Sequence, residues 1–552
     1  MSGIFIMPTG EERKSTMKMN LASLSDKAGW EKAGVTLPAY DVEKMAAATK
    51  ENPIWVHFGA GNIFRGFVAE LQQKLLNEGK ADRGIIAVDT FDYDIINLCY
   101  HPYDNLCMVV TLHADGSMDK DVLGSIAESI AVSSADASFD RMKEIFRNPS
   151  LQMVSFTITE KGYAIYDLSG NFMKVVSADI EEGPAHARHA MSVVCAMLLE
   201  RFNAGKFPLA VVSMDNCSHN GEKLKASVVT IAEEWQKKGF VTEEFVAYVK
   251  DEETVSFPWS MIDKITPRPD KKVEAMLAES GVEDMGPIKT SRGTFVSPFV
   301  NAEVSQYLVI EDRFPNGRPA LEEAGVYMTT RDVVNMTERM KVTTCLNPLH
   351  TAMSVFGVVL GYDHIAKEMK DEDIVNLITK IGYVEGLPVV TDPGILRPAD
   401  FIDEVVKVRL PNPFIPDMPQ RIATDTSQKV GIRFGETIKS YAASDSLKVG
   451  DLTCIPLAIA GWFRYLLGVD DNGQKFECSD DPLLADLQAA LADVVWNDPE
   501  SYKGQLAGIL SNKAVFGSDL VELGLSEKIE GMFKEMLAGP GAVRKTLHKY
   551  TA

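Results

Sequence analysis

The feature that most limits how this chain can fold is an apolar run, Ile54-Trp-Val-His-Phe58, that stops at Gly59-Ala-Gly61-Asn-Ile-Phe-Arg65-Gly66. Ile63, Phe67, Leu71 and Leu75 then recur at every fourth position, the stripe of an amphipathic helix. Gly84-Ile-Ile-Ala-Val88 follows as a second strand and ends at Asp89. Strand, glycine turn, helix, strand and acid in this order predict a dinucleotide-binding βαβ unit. Gly59 and Gly61 let the backbone approach a pyrophosphate. The free N–H groups of the first helical turn, at Asn62, Ile63 and Phe64, face that anion. Arg65 adds a candidate charge-assisted bond. Asp89 stands where a carboxylate accepts from a ribose hydroxyl and repels a 2′-phosphate, which favours NAD over NADP; Asp92 is the second candidate. Phe64 occupies the place of the usual third glycine. A turn in some other α/β domain remains the alternative.

At 552 residues the chain exceeds what one core supports. We place a boundary in the turn-rich region before 336, giving a first domain over 1–335 and a second over 336–552. In the first, Leu151–Thr159 and Phe207–Ser213 read as further strands, leading into Glu160-Lys-Gly-Tyr163 and Met214-Asp-Asn216-Cys-Ser-His-Asn220. Polar residues just past a strand end are where open α/β sheets bind ligands. Phe257–Arg268 reads as a Pro-punctuated loop and Tyr307–Ile310 as a strand. Residues 1–50 read as a polar arm with a short helix near Asp41–Thr49. Past the boundary, Thr351–Leu360, Asp371–Ile381, Ile455–Leu467, Pro482–Trp496 and Leu525–Leu537 all suit helices. The expected fold is therefore an α/β N-terminal domain followed by a mostly α-helical C-terminal domain.

A net charge of −22 argues against nucleic acid or an anionic membrane as partner, though a local basic pocket for an anionic small molecule is compatible with it. The seven cysteines contain no CxxC pair and read as the reduced thiols of a cytoplasmic protein. The first eight residues lack the basic flank and apolar core of a signal peptide, and no apolar run reaches spanning length. His186 and His189 share a helical spacing without further ligands nearby, so no metal site is expected.

Past the boundary, Thr337-Glu-Arg-Met-Lys341-Val-Thr-Thr-Cys-Leu-Asn347-Pro-Leu-His350 sets a lysine, a carboxamide and an imidazole against an apolar run. Such a set suits proton abstraction from a hydroxyl, with the lysine as base and the amide and imidazole holding the oxygen. The bland alternative is a helix with a capping Asn and a satisfied His. Further on, Arg421 and Lys429 stand eight apart and would grip an anionic or polyhydroxy substrate, or else form a solvated face.

Taken together, these motifs resemble the polyol-specific long-chain dehydrogenases, the mannitol 2-dehydrogenase family, over roughly 50–450. The resemblance rests on Gly59-Ala-Gly61 with Arg65-Gly-Phe67, Thr157 to Tyr163, Ser213-Met-Asp-Asn216 with Asn220-Gly221, and Met261-Ile-Asp263-Lys-Ile-Thr-Pro267. Phe314 to Pro319, the Lys341 stretch and Arg421 to Lys429 complete it. It implies a Rossmann-type N-terminal domain, a helical C-terminal domain and an active site between them. The implied chemistry is metal-free hydride transfer between NAD and a secondary alcohol. It implies Lys341 as base, Asn216 and Asn347 on the reacting oxygen, His350 orienting the substrate, and Asp263, Arg421 and Lys429 lining its site. The style of the Asn-Pro-Leu-His stretch resembles the mannonate (fructuronate reductase) group most, so the expected partner is a small sugar acid or polyol and the expected state a monomer or small homo-oligomer. Arg268 and Arg292 are further candidates to meet a carboxylate.

One departure stands out. The family pattern has one residue fewer between Lys and Asn than the five found here. On a regular helix, six steps put Lys341 about 120° from Asn347, and nine put it opposite His350. Three readings follow: a π-bulge, a lysine lying before the helix starts, or a different base, with His350 or His219 next in line. A methyltransferase or a non-catalytic nucleotide sensor would share the glycine turn but not require the lysine set.

Overall fold

The computed structural model describes residues 17–552, so the segment read above for a signal peptide lies outside the described residues. The described chain divides into two compact units, one of residues up to 112 together with 118–328, the other of 113–117 together with 329–552.

The first unit is organised on a six-stranded sheet: β1 (Trp55–Phe58), β2 (Ile85–Asp89), β3 (Ile126–Ala131), β4 (Met153–Phe156), β5 (Leu209–Ser213) and β6 (Val255–Ser256). All neighbours pair in parallel in the order β3-β2-β1-β4-β5-β6. This is the dinucleotide-binding order, with its switch point between β1 and β4. The strands read as continuous apolar runs because both faces are covered. Val56, Phe58, Ile86, Val88 and Val211 point into one apolar layer with Phe139, Leu198 and Trp235. Trp55, Ile85, Ala87, Ala210 and Val212 point into the other with Phe67, Leu71 and Ile96.

The fully buried Arg201 staples the lower edge of this sheet. Its guanidinium donates to the carbonyls of Phe146, Asn148, Leu151, Phe207 and Pro208 at 2.8–3.3 Å. Burying a cation costs less when every N–H finds an acceptor.

Among the described residues, two three-stranded sheets accompany the six-stranded one. Within the stretch expected to be a loop, Ser260–Asp263 is a strand paired antiparallel to Tyr307–Glu311, so the prolines only bracket it. Phe299–Glu303 pairs with Cys107–Leu112, which pairs in turn with Met118–Leu123. The N-terminal arm carries the expected short helix at Val42–Glu51, but it is tied down. Met17–Lys18 pairs with Val282–Glu283, and Trp30 is fully buried. His189 lies on no helix face; it caps the N-terminus of α1 (Ala190–Gly205), accepting from Met191 N–H at 3.3 Å.

The second unit is helical. Here α2 (Arg331–Met340) runs into α3 (Asn347–Val359), and α4 (Cys454–Tyr465) packs along α3. Gly461 permits the close approach, since a Cβ there would stand 2.6 Å from the Phe356 ring. The carboxylate of Glu385 caps α4, accepting from the N–H groups of Thr453, Cys454 and Ile455 at 2.6–2.7 Å. It satisfies donors that a buried helix start would leave orphaned. The run 331–359 is long and apolar enough to cross a membrane by length and composition, but 78% of its apolar window is buried inside the protein. It is a core helix. Pro482–Trp496 falls short of the expected helix. Only Leu484–Ala490 is helical, and the chain then turns so that Trp496 covers Gly473.

Among the described residues five π-helical segments occur, at Phe64–Val68, Lys341–Cys345, Lys380–Gly386, Val405–Arg409 and Gly431–Gly435. Such segments are rare and frequent at functional sites. Periodicity of apolar residues does not announce them.

Candidate active site

The glycine turn follows β1 directly. Gly59 has a φ of +100°, and its N–H donates to Val88 O at 2.8 Å. A Cβ there would lie 2.2 Å from the Thr157 carbonyl oxygen, so only glycine lets β1 leave the sheet at this point. Gly61 faces open space, with nothing within 4 Å of where its Cβ would be. Beyond it Asn62 and Ile63 begin the helix and Phe64 opens its π-turn. The departure at Phe64 has a physical reason. Its ring stacks on His57 at 4.2 Å, and the close-packing glycine sits at 66 instead, where a Cβ would meet Val300 and Thr266 at 2.9–3.0 Å.

The structure places the Arg65 guanidinium inside the unit, donating to Ser297 O at 2.6 Å and Asn62 Oδ1 at 2.9 Å, with its plane over Tyr100. Asp89 closes β2 and is almost buried. One oxygen accepts from Phe91 and Asp92 N–H at 2.8 Å each, and the other faces Ala60 N–H at 3.4 Å. Burial raises its pKa, and those backbone donors pull it back. Asp92 instead accepts from Thr290 Oγ1 at 2.7 Å, so the two acids differ in what they hold.

Past β4 and β5, Asp215 joins two strand ends. It accepts from the N–H groups of Ile158 and Thr159 at 2.8 and 2.9 Å and from the Tyr163 hydroxyl at 2.5 Å. Thr159 is held at a φ of +65° by these bonds. Asn220 is also buried and clamps β5 to Ser260, giving to and taking from that residue at 3.0 Å. Between these two fixed residues, Asn216 is exposed on the loop. Asp263 is nearly buried at the end of its strand. His219, at a φ of +53°, is exposed and stacks against Trp259.

In the helical unit, Lys341 is 3% exposed and opens the π-helical turn Lys341–Cys345. Leu346 N–H reaches back to Lys341 O at 3.1 Å, and Leu346 leaves helical geometry at φ −128°, ψ −61°. Pro348, with no N–H to offer, sits in the first turn of the next helix. The extra residue is therefore taken up in a widened turn and a break, the first of the three readings above, and the angles of a continuous helix do not apply. Asn347 starts α3 and His350 lies one turn on, so they share a helix face.

His350 Nε2 stands 3.1 Å from Asp417 Oδ2. Arg421 donates to the other oxygen through Nε at 2.9 Å and an Nη at 2.5 Å. Asp417 thus joins two of the residues singled out from sequence. Burial lowers the His350 pKa and Asp417 pulls it up, while Arg433 and Arg421 push it further down. Burial would raise Asp417, but His350 and Arg421 hold it below the usual carboxylate range. Lys429 donates to the carbonyls of Ile422 and Thr424, and burial, then Arg433, lower its pKa. Arg433 donates to Thr351 Oγ1 on α3.

Of the two arginines considered for a carboxylate, Arg268 is exposed and Arg292 lies beside Phe91, at the Asp89 end of the first unit. Sequence reasoning passed over Asp215, Asn220, Asp417 and Arg433. The first two lay inside a quoted motif, and Asp417 precedes Arg421 by one helical turn, a spacing that signals an ion pair. Nothing local marked Arg433. Among the described residues no cluster of three His, Cys, Asp or Glu is placed to hold a metal ion.

A 3-2-1-4-5-6 parallel sheet with an open glycine cradle, joined in one chain to a helical unit bearing a buried lysine, defines a class: dinucleotide-dependent oxidoreductases of two-domain build. Within it, the chain belongs to the mannitol dehydrogenase family. Residues 53–323 match the mannitol dehydrogenase Rossmann domain and residues 333–537 the mannitol dehydrogenase C-terminal domain. The chain is 51% identical to the D-mannonate oxidoreductase of Thermotoga maritima over 535 residues, covering 97% of this chain and 99% of that protein. The substrate-free structure of D-sorbitol dehydrogenase superposes with a TM-score of 0.79 at 25% identity, covering 96% of this chain and all of that one. Pseudomonas fluorescens mannitol 2-dehydrogenase, solved with NAD and D-mannitol, gives a TM-score of 0.68 at 25% identity, covering 97% and 99%.

Proposed function

We propose that the chain interconverts D-mannonate and D-fructuronate with NAD as the hydride partner. The observation that carries this reading is full-length 51% identity to a D-mannonate oxidoreductase, combined with a buried lysine at the head of the Asn347–His350 helix. The glycine cradle suits a dinucleotide, because Gly61 faces open space beside the first turn of a helix. A nicotinamide dinucleotide held there would supply the hydride acceptor for the carbinol carbon.

The protein's part is proton handling and placement. Lys341 accepts the hydroxyl proton as the C–H bond breaks, and returns it to the carbonyl oxygen in the reducing direction. The carboxamide N–H groups of Asn216 and Asn347 donate to the oxygen as negative charge builds on it, the role of an oxyanion hole. His350, held by Asp417, orients the substrate. Arg421 and Lys429 supply positive charge for a sugar carboxylate, and Asp263 accepts from hydroxyls. Asp89, taking a ribose hydroxyl, makes NAD the preferred cofactor.

The test follows the loss of reduced-nicotinamide absorbance with fructuronate and then with fructose. Fructuronate should give the higher kcat/KM. Equal efficiency with the neutral ketose would move the assignment to a polyol dehydrogenase of the same family.

A further inference from the structure

The adenosine end of the site carries a feature that the reaction itself does not use. Residues Ile288–Lys289 and Phe295–Val296 form an antiparallel hairpin, and Gly293, at a φ of +83°, turns its tip. Two bonds fasten that tip to the loop and helix start that follow β2. Thr290 Oγ1 donates to Asp92 at 2.7 Å, and Ser291 N–H donates to Asp94 at 2.7 Å. The fastened tip delivers Arg292 over the ring of Phe91, 4.7 Å from its centroid. Phe91 is 68% exposed, and its N–H is bonded to Asp89, the acid at the ribose position.

The pair is thus built next to the ribose acid from two loops, one of them pinned by two carboxylates. Arg292 has no ion-pair partner among the described residues. A guanidinium stacked on an aromatic ring keeps its edge N–H groups free for a planar or tetrahedral anion. Asp89 already accepts from the N–H groups of Phe91 and Asp92, and those dipoles offset part of its repulsion of a nearby anion. It keeps lone pairs for a hydroxyl.

Resting on the dinucleotide reading above, we propose that Arg292, stacked on Phe91, binds the 2′-phosphate of an adenine dinucleotide, so that the chain accepts NADP as a second cofactor while Asp89 keeps NAD the better one. Arg292 and Asp89 then act as opposed specificity residues on one ribose carbon.

The test uses the full chain and two readouts. In calorimetry, adenosine 2′,5′-bisphosphate and 5′-AMP serve as probes that need no turnover. Arg292→Ala should weaken the bisphosphate by about tenfold to a hundredfold, the range for losing a charge-assisted contact, and leave 5′-AMP within about twofold. In kinetics, Arg292→Ala should widen the NADH-over-NADPH ratio, and Asp89→Ala should narrow it. Arg292→Lys should recover part of the bisphosphate affinity, since it restores charge without the fork. Equal weakening of both probes would make Arg292 an adenine-stacking residue and overturn the proposal. So would no binding of the bisphosphate to the unaltered protein alongside good binding of 5′-AMP. If neither probe binds, the dinucleotide reading itself fails, a result distinct from either of these.

Discussion

Replacing Asp417 with Asn removes one negative charge from a nearly buried position while keeping its shape. Arg421 loses a charged acceptor and His350 a charged neighbour. Arg421 is 67% exposed, so its end of the interaction is screened by solvent and is worth no more than about 1 kcal/mol. His350 is largely buried, and Asp417 Oδ2 lies 3.1 Å from its Nε2 without hydrogen-bond alignment, a contact worth about 0.5–1.5 kcal/mol. If that energy is spent on orienting the imidazole toward substrate, kcat/KM should fall by about twofold to tenfold. A second effect has a definite sign. Asp417 is the group raising the His350 pKa against burial, Arg433 and Arg421. In Asp417→Asn the imidazole should therefore stay neutral to lower pH, and any acid limb of the pH–rate profile that belongs to His350 should move down. Steady-state fructuronate reduction across pH, with the folded state checked by circular dichroism, measures both. A folded Asp417→Asn protein with unaltered kcat/KM and an unmoved profile would refute the claim that this carboxylate positions the site.

Lys341→Ala should lower kcat for alcohol oxidation by about 10²–10⁴ and leave NAD affinity, read by calorimetry, nearly unchanged; full retained activity would remove Lys341 as base. Burial holds His57 down to about 3, so the unfolded chain binds a proton that the native sheet refuses. Its stabilising share is present above the unfolded value of 6.5 and drains away as pH falls, the loss amounting to about 5 kcal/mol by pH 3; urea titrations across this window should show the slope, and His57→Gln should flatten it. Glu368 is fully buried beside Gly357, neither carboxyl oxygen has a hydrogen-bond partner among the described residues, and burial raises its pKa well above normal. Glu368→Met should stabilise by about 1–3 kcal/mol, seen as a higher unfolding midpoint, and a lower midpoint would count against the unpaired state. Exhaustive chelation should leave activity intact if lysine and amides handle the oxygen as proposed; loss restored by a divalent ion would overturn that mechanism.

Much of this architecture is written locally. The apolar runs and the Gly59–Gly61 turn specify β1, β2 and the helix between them, because burial on both faces and backbone approach each demand particular residues. The glycines at 59 and 61 and the acid at 89 could be read for the same reason. What stayed hidden depends on partners far along the chain. The strand at Ser260–Asp263 exists because Tyr307–Glu311 pairs with it, and its own sequence reads as a loop. The Arg65 guanidinium turns inward because Ser297, over two hundred positions away, offers a carbonyl. Arg433 reaches Thr351 from a separate segment, and no spacing rule links them. The π-turn at Lys341 was legible only as a misfit between helical geometry and the residues that had to share a face.

That misfit makes chain length itself a determinant of the site. A widened turn stores one residue without disturbing the α-register before or after it. Removing one of residues 342–346 would let an ordinary turn close and bring the interval between Lys341 and Asn347 to the family's spacing, with the register on either side kept. A further insertion would lack that outlet, because the turn is already widened, and would rotate Lys341 by about 100° relative to α3. Transplanting this segment into another helical scaffold therefore requires moving the whole interval 337–350 as one block.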